Sequence, residues 1–125
     1  MFRILTTLIL TLFITTMAHA ETPPPTPVRH IVCFKFTKAA TPEKIEMVEK
    51  AFAELPSKIP GIKAFEWGTN ISKEGKDKGF THCFNMTFES QEALDAYIPH
   101  PAHKEFIAKL DGLIEDVFVI DYAAR

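Results

Sequence analysis

The chain has 125 residues, 14 of them lysine or arginine and 16 aspartate or glutamate, for a formal net charge of −2 with histidines neutral. That length holds one small domain and no more, and a slightly acidic balance argues against nucleic acid as a partner. Eleven phenylalanines suit a domain that compensates for small size with aromatic burial.

In chain order, Met1-Phe2-Arg3 is followed by an apolar run from Ile4 to Met17 and then by Ala18-His19-Ala20. One basic residue, a hydrophobic stretch too short to span a bilayer comfortably and a small-x-small site make the layout of a secretory signal peptide. Residues 1–20 are therefore expected to be removed after Ala20. The mature protein would be exported, periplasmic or secreted, with no membrane attachment after cleavage. Glu21 to Pro27 holds four prolines and reads as an extended tether. Residues 28–125 are left as the single folded domain.

Arg29 to Phe36 alternates, with His30, Val32, Phe34 and Phe36 on one face and Ile31, Cys33 and Lys35 on the other, which predicts a strand with one strongly apolar side. Thr41-Pro42 then reads as an N-cap and first helical residue. Ile45, Val48, Phe52 and Leu55 carry a helical stripe up to Pro56. A turn at Lys58 to Gly61 leads to a second strand, Ile62 to Asn70, which carries Trp67. The charged, glycine-bounded segment Ser72 to Gly79 reads as a solvated hairpin loop. Phe80 to Phe88 is the clearest strand, with Phe80, His82, Phe84, Met86 and Phe88 on one face. Ser90 caps a helix from Gln91 to about Ile98. A further helix opens near His103 and runs to Gly112, and Val117 to Tyr122 is the last strand.

The order β-α-β-β-α-β is the split pattern of a ferredoxin-like α+β sheet with helices on one face. The first strand then lies centrally beside the third and fourth, and the faces of His30 and His82 both turn toward the helices. The other face, with Ile31, Cys33, Lys35, Thr81, Cys83 and Asn85, has no helix left to cover it. A half-apolar face left bare predicts a two-fold homodimer closed sheet to sheet. Cys33 and Cys83 share that face on neighbouring strands, either as a disulfide or as two small thiols filling the interface.

The stretch Tyr97-Ile98-Pro99-His100-Pro101-Ala102-His103 breaks one helix and starts the next, because prolines 99 and 101 bias the residues before them away from helical geometry. His100, between them, is expected to face water. His103, Phe106, Ile107 and Leu110 then share one helical face. An imidazole turned toward the core at a helix start is placed for a general base, for a ligand-gripping group, or for a core histidine satisfied by a backbone carbonyl. His30, His82 and His103 are expected to converge between sheet and helices.

These residues together resemble the stress-responsive A/B barrel (Dabb) family. The resemblance covers essentially the whole mature domain. It rests on Arg29-His30-Ile31-Val32, Phe34-Lys35-Phe36, Pro60-Gly61, Trp67-Gly68, Gly79-Phe80-Thr81-His82, Phe88-Glu89-Ser90, the run His100-Pro101-Ala102-His103, and Asp121-Tyr122. It implies a dimeric α+β barrel of ferredoxin-like protomers. The family includes plant stress proteins and a cofactor-free polyketide cyclase that acts by an intramolecular aldol step. The resemblance implies His103 as base, His30 as its orienting partner and Tyr97 as a pocket tyrosine. A second pocket tyrosine of that enzyme falls at Phe52, which carries no hydroxyl.

Three functions follow as expectations. The first is an exported protein, with the stress role that the resemblance allows, that holds a small aromatic or acyl ligand in a pocket lined by His82, Phe52, Phe34, Phe84 and Phe106. The second is a cofactor-independent enzyme of aldol or proton-transfer type with His103, His30 and Tyr97 in the catalytic roles. The third is a metal bound by His30, His82 and His103. No cofactor is expected on either of the first two.

Overall fold

In the computed structural model, which describes residues 16–125, residues 16–27 are exposed and carry no regular structure. Residues 1–15, most of the expected signal peptide, lie outside the described residues. Seven elements follow: β1 (Val28–Phe36), α1 (Pro42–Lys58), β2 (Ile62–Thr69), β3 (His82–Phe88), α2 (Gln91–Tyr97), α3 (Pro101–Lys109) and β4 (Ile114–Ala123). They form a four-stranded sheet in the order β2-β3-β1-β4, antiparallel throughout, with β1 in the centre. This is the ferredoxin-like arrangement, with the second helical segment broken in two.

Each helix starts where its capping chemistry predicts. The Thr41 hydroxyl accepts from the Lys44 amide and Pro42 occupies the first turn, where its missing N–H costs nothing. The Ser90 hydroxyl accepts from Ala93 N at 3.1 Å. Helix α1 runs through Pro56 to Lys58, two residues beyond the expected stop. Gly61 has φ +90°, and a Cβ there would lie 2.7 Å from that of Ala93, so the turn into β2 can pass beneath α2 only as glycine. Gly112, at φ +72°, ends the α3 region as expected.

The core lies between the helices and one sheet face. Val28, Val32, Phe34, Phe84, Met86 and Phe88 face Val48, Phe52, Leu55, Leu94, Tyr97 and Phe106, all nearly or wholly buried. At its centre the Phe52 and Phe84 rings stack with centroids 4.1 Å apart, and Phe106 meets Phe52 at 4.8 Å.

Two expectations are corrected here. Strand β3 starts at His82, because Lys78 and Gly79 both take positive φ and Phe80 N donates to Asp77 O, closing a turn. Phe80 therefore leaves the His82 face and sits edge-on against Phe118 on the open face. Ile107, expected on the buried face of α3, is 49% exposed, whereas Phe106 and Leu110 are buried.

The open face carries Phe118, Cys33, Cys83 and Gly68 in one row across the sheet, with Ile120, Ile31, Asn85 and Glu66 in the next. Phe118, Ile120 and Tyr122 are each about half exposed. The amide oxygen of Asn85 is buried without a hydrogen-bond partner among the described residues.

Candidate active site between β4 and the helix break

His30 stands on β1 directly opposite Asp121 of β4, so both point to the helix side. Its Nδ1 lies 2.5 Å from Asp121 Oδ1. A carboxylate only accepts, so His30 carries its proton on Nδ1 and presents Nε2 as the free nitrogen. The sequence pattern alone does not reveal this role of Asp121. The signal was available: Val117, Val119 and Asp121 alternate on one face of β4, and an acid closing an apolar stripe is costly unless something pairs with it.

His103 is anchored in the same way from another direction. Its Nδ1 is 2.9 Å from the carbonyl oxygen of Ile98, which can only accept, so this ring too keeps a proton on Nδ1 and leaves Nε2 basic. Between the two imidazoles stands Tyr97, the last residue of α2. Its ring is 4.3 Å from that of His103 and 5.7 Å from that of His30, centroid to centroid, and it is 1% exposed. Burial holds the phenol well above its ordinary pKa, so it stays protonated and acts as a donor.

The turn that brings these groups together is capped by a histidine. His100 Nδ1 accepts from Ala102 N at 3.0 Å and Pro101 fills the first helical position. His100 is thus the N-cap of α3 and only half exposed, where a solvent-facing turn residue was expected. Substitution His100→Ala is expected to lower the unfolding free energy by about 0.5–2 kcal/mol, and His100→Asn to retain most of it, measured by denaturant titration.

Beyond Tyr97 the layer opens. Val117 and Val119 share the helix side with His30, yet they remain 44% and 50% exposed. The helices cover β1 and β3 but not β4. Val117 and Val119 therefore lie open on the helix side of β4, the strand that carries Asp121 opposite His30.

His82 does not join them. It pairs with Phe34, four residues along β1 from His30, about 13 Å away at roughly 3.3 Å per residue. Its Nε2 is 2.9 Å from Glu49 Oε1 and its Nδ1 is 2.9 Å from the Thr81 hydroxyl, so neither nitrogen is free. Trp67 stacks over it with the rings 6° from parallel. The expected convergence of three histidines is therefore corrected to two. No group of three or more His, Cys, Asp or Glu side chains that could hold a metal occurs among the described residues, which removes the three-histidine metal site. Glu49 was also missed, although its spacing to Phe52 on α1 turns it toward the sheet.

Phe34, Phe52, Phe84 and Phe106, expected to line a pocket, fill the core by packing on one another. A concavity of about 790 Å³ lies on the opposite side, over Cys33, Cys83, Asn85 and Phe118 and beside the loop at Lys76 to Phe80. Size alone would favour it, but none of His30, Tyr97 or His103 lines it, and acid-base chemistry needs the free imidazole nitrogens.

The sequence pattern of the Stress responsive A/B Barrel Domain (Dabb) matches residues 28–124, and the chain belongs to that family. It is 46% identical over 96 residues to the stress-response A/B barrel domain-containing protein HS1 of Arabidopsis thaliana, covering 77% of this chain and 88% of that one. It is 34% identical over 98 residues to olivetolic acid cyclase of Cannabis sativa, covering 78% and 97%. Among solved structures, hydroxynitrile lyase from Passiflora edulis superposes with TM-score 0.75 at 27% identity over 82% of this chain and 96% of that one. A dimeric protein of unknown function and ferredoxin-like fold from Bacteroides fragilis gives 0.63 at 26% identity over 78% and 96%.

Proposed function

We propose that the protein binds a small aromatic or acyl carbonyl compound on the exposed helix side of β4 and transfers protons on it without a cofactor. The observation that carries this reading is the pair of imidazoles flanking Tyr97, each tied at Nδ1 and free at Nε2. In the proposed reaction His103 Nε2 removes a proton next to the carbonyl. The Tyr97 hydroxyl donates to the oxygen as negative charge develops there, and His30, held by Asp121, is the second acid-base group. Relatives named as a cyclase and a lyase are consistent with such chemistry on this fold. The test is deuterium exchange at the α-carbon of small aryl and acyl ketones in D₂O, followed by NMR. Exchange lost in His103→Gln supports the reading. Compounds that bind without exchange would make the domain a ligand-binding module instead.

Two further properties belong to the proposal. Two copies close over the open sheet face, which covers Phe118, Ile120 and Tyr122 and gives the buried Asn85 oxygen a chance of a donor it lacks within one protomer. A relative of the same fold described as dimeric supports this. Sedimentation at micromolar concentration is expected to give a dimer for the parent chain and a monomer for Ile120→Asp; a monomeric parent would refute it. The protein is also exported, on the layout of residues 1–20, and N-terminal sequencing that finds Glu21 first is the expected result.

A further inference from the structure

Cys33 and Cys83 are paired residues of β1 and β3, directly opposite one another on the open face. The type of pairing follows from the neighbouring ladder. Asn70 N donates to Thr81 O in register with the pairing of Gly68 and Cys83, so by alternation Cys83 turns its backbone N–H and C=O toward β2. Toward β1 the two cysteines therefore form a non-hydrogen-bonded pair, the closer of the two kinds, with Cα atoms typically about 4.5 Å apart, inside the range that a disulfide spans. The Cys83 side chain is near enough to Cys33 to perturb its thiol.

We infer that Cys33 and Cys83 close into a disulfide that joins the two central strands across the open face. Cys83 is the exposed partner, and Cys33 is half-buried. On the far side of Cys83 stands Gly68, and no heavy atom lies within 4 Å of where its Cβ would be, so an incoming reagent has room there.

The oxidant is a small disulfide of the glutathione class. The Cys83 thiolate attacks one of its sulfurs, forming a mixed disulfide and releasing one small thiolate. Cys33 then gives its proton to solvent and attacks Cys83 Sγ, expelling the second. Two protein thiols lose two electrons and two protons, and one small disulfide becomes two thiols. Burial, then the neighbouring Cys83, push the Cys33 thiol up to about 11, so the closing step speeds up as pH rises through the neutral and alkaline range. If the open face is covered by a second copy, the bond forms before the sheets meet and is then sealed between them.

The test is oxidative refolding of the reduced, denatured protein in mixed reduced and oxidised glutathione, so that assembly cannot shield the thiols. Alkylation, intact mass and peptide mapping follow. The expected product has no alkylatable thiol, no glutathione adduct, and one linked peptide pair containing residues 33 and 83. Cys33→Ser is expected to stop at a glutathione adduct on Cys83. Two free thiols, a stable adduct on the parent protein, or cross-links between protomers would each overturn the inference.

Discussion

Replacing His103 by glutamine is expected to slow α-proton exchange on a bound ketone by about 10²–10⁴-fold, the span over which a positioned general base contributes. Glutamine is the informative substitute, because its amide N–H can still donate to the Ile98 carbonyl that His103 Nδ1 meets at 2.9 Å. The fold loses little, while the basic nitrogen disappears. A merely structural imidazole would show the reverse, with stability lost and exchange kept. Asp121→Asn gives a graded companion: the amide oxygen can still accept from His30 Nδ1, but the negative charge beside the ring is gone. Its expected effect is smaller, because Asp121 acts through His30. Exchange rates equal to those of the parent in both variants would refute the roles given to these residues.

The physical reason for the arrangement lies in β4. An edge strand covered by helices would bury Val117 and Val119 and seal His30 and Asp121 beneath them. Here α2 ends at Tyr97, the two prolines restart the chain as α3, and the helices stop short of the edge. The same break supplies both the Ile98 carbonyl that orients His103 and the His100 cap that fixes the start of α3.

The strands could be read from sequence because period-two alternation is strong in both central strands: His30, Val32, Phe34 and His82, Phe84, Met86, Phe88 declare their buried face without help. Antiparallel order then put His30 and His82 on one side, as found. What alternation does not reveal is register. A shared face spans the full length of a strand, so the two imidazoles could stand beside each other or at opposite ends, and the pairing of His82 with Phe34 puts them at opposite ends. The same gap hid Asp121, whose value depends on standing opposite His30. Alternation alone extends β3 back to Phe80, whereas the positive φ angles of Lys78 and Gly79 reverse the chain just there. Nothing in the sequence marks His100 as a cap, since imidazole is not among the usual capping side chains; only the 3.0 Å bond to Ala102 N reveals it.

The four phenylalanines expected around a pocket make the second large prediction. Phe84 is wholly buried, stacked on Phe52 at 4.1 Å and tilted against Phe34 at 5.5 Å, with Phe65 and Trp67 on its other flanks. Truncation to alanine removes transfer free energy and leaves a cavity that these four aromatic neighbours cannot easily collapse into, so Phe84→Ala is expected to cost about 3–5 kcal/mol of unfolding free energy. For a domain of this size that is a large share of a total of about 5–15 kcal/mol, and denaturant titration at fixed protein concentration measures it directly. His103→Gln under the same conditions is expected to change stability by less than about 1 kcal/mol, because its ring lies at the margin of the core and its one anchoring bond survives. The contrast separates the two halves of the helix-facing layer. Around Phe84 the side chains are filler and their loss is structural, whereas beside β4 the histidines stand at an opening and their loss is chemical. A Phe84→Ala protein as stable as the parent would mean that the aromatic cluster leaves room for a ligand after all, and would move the binding site from the edge of the sheet to its centre.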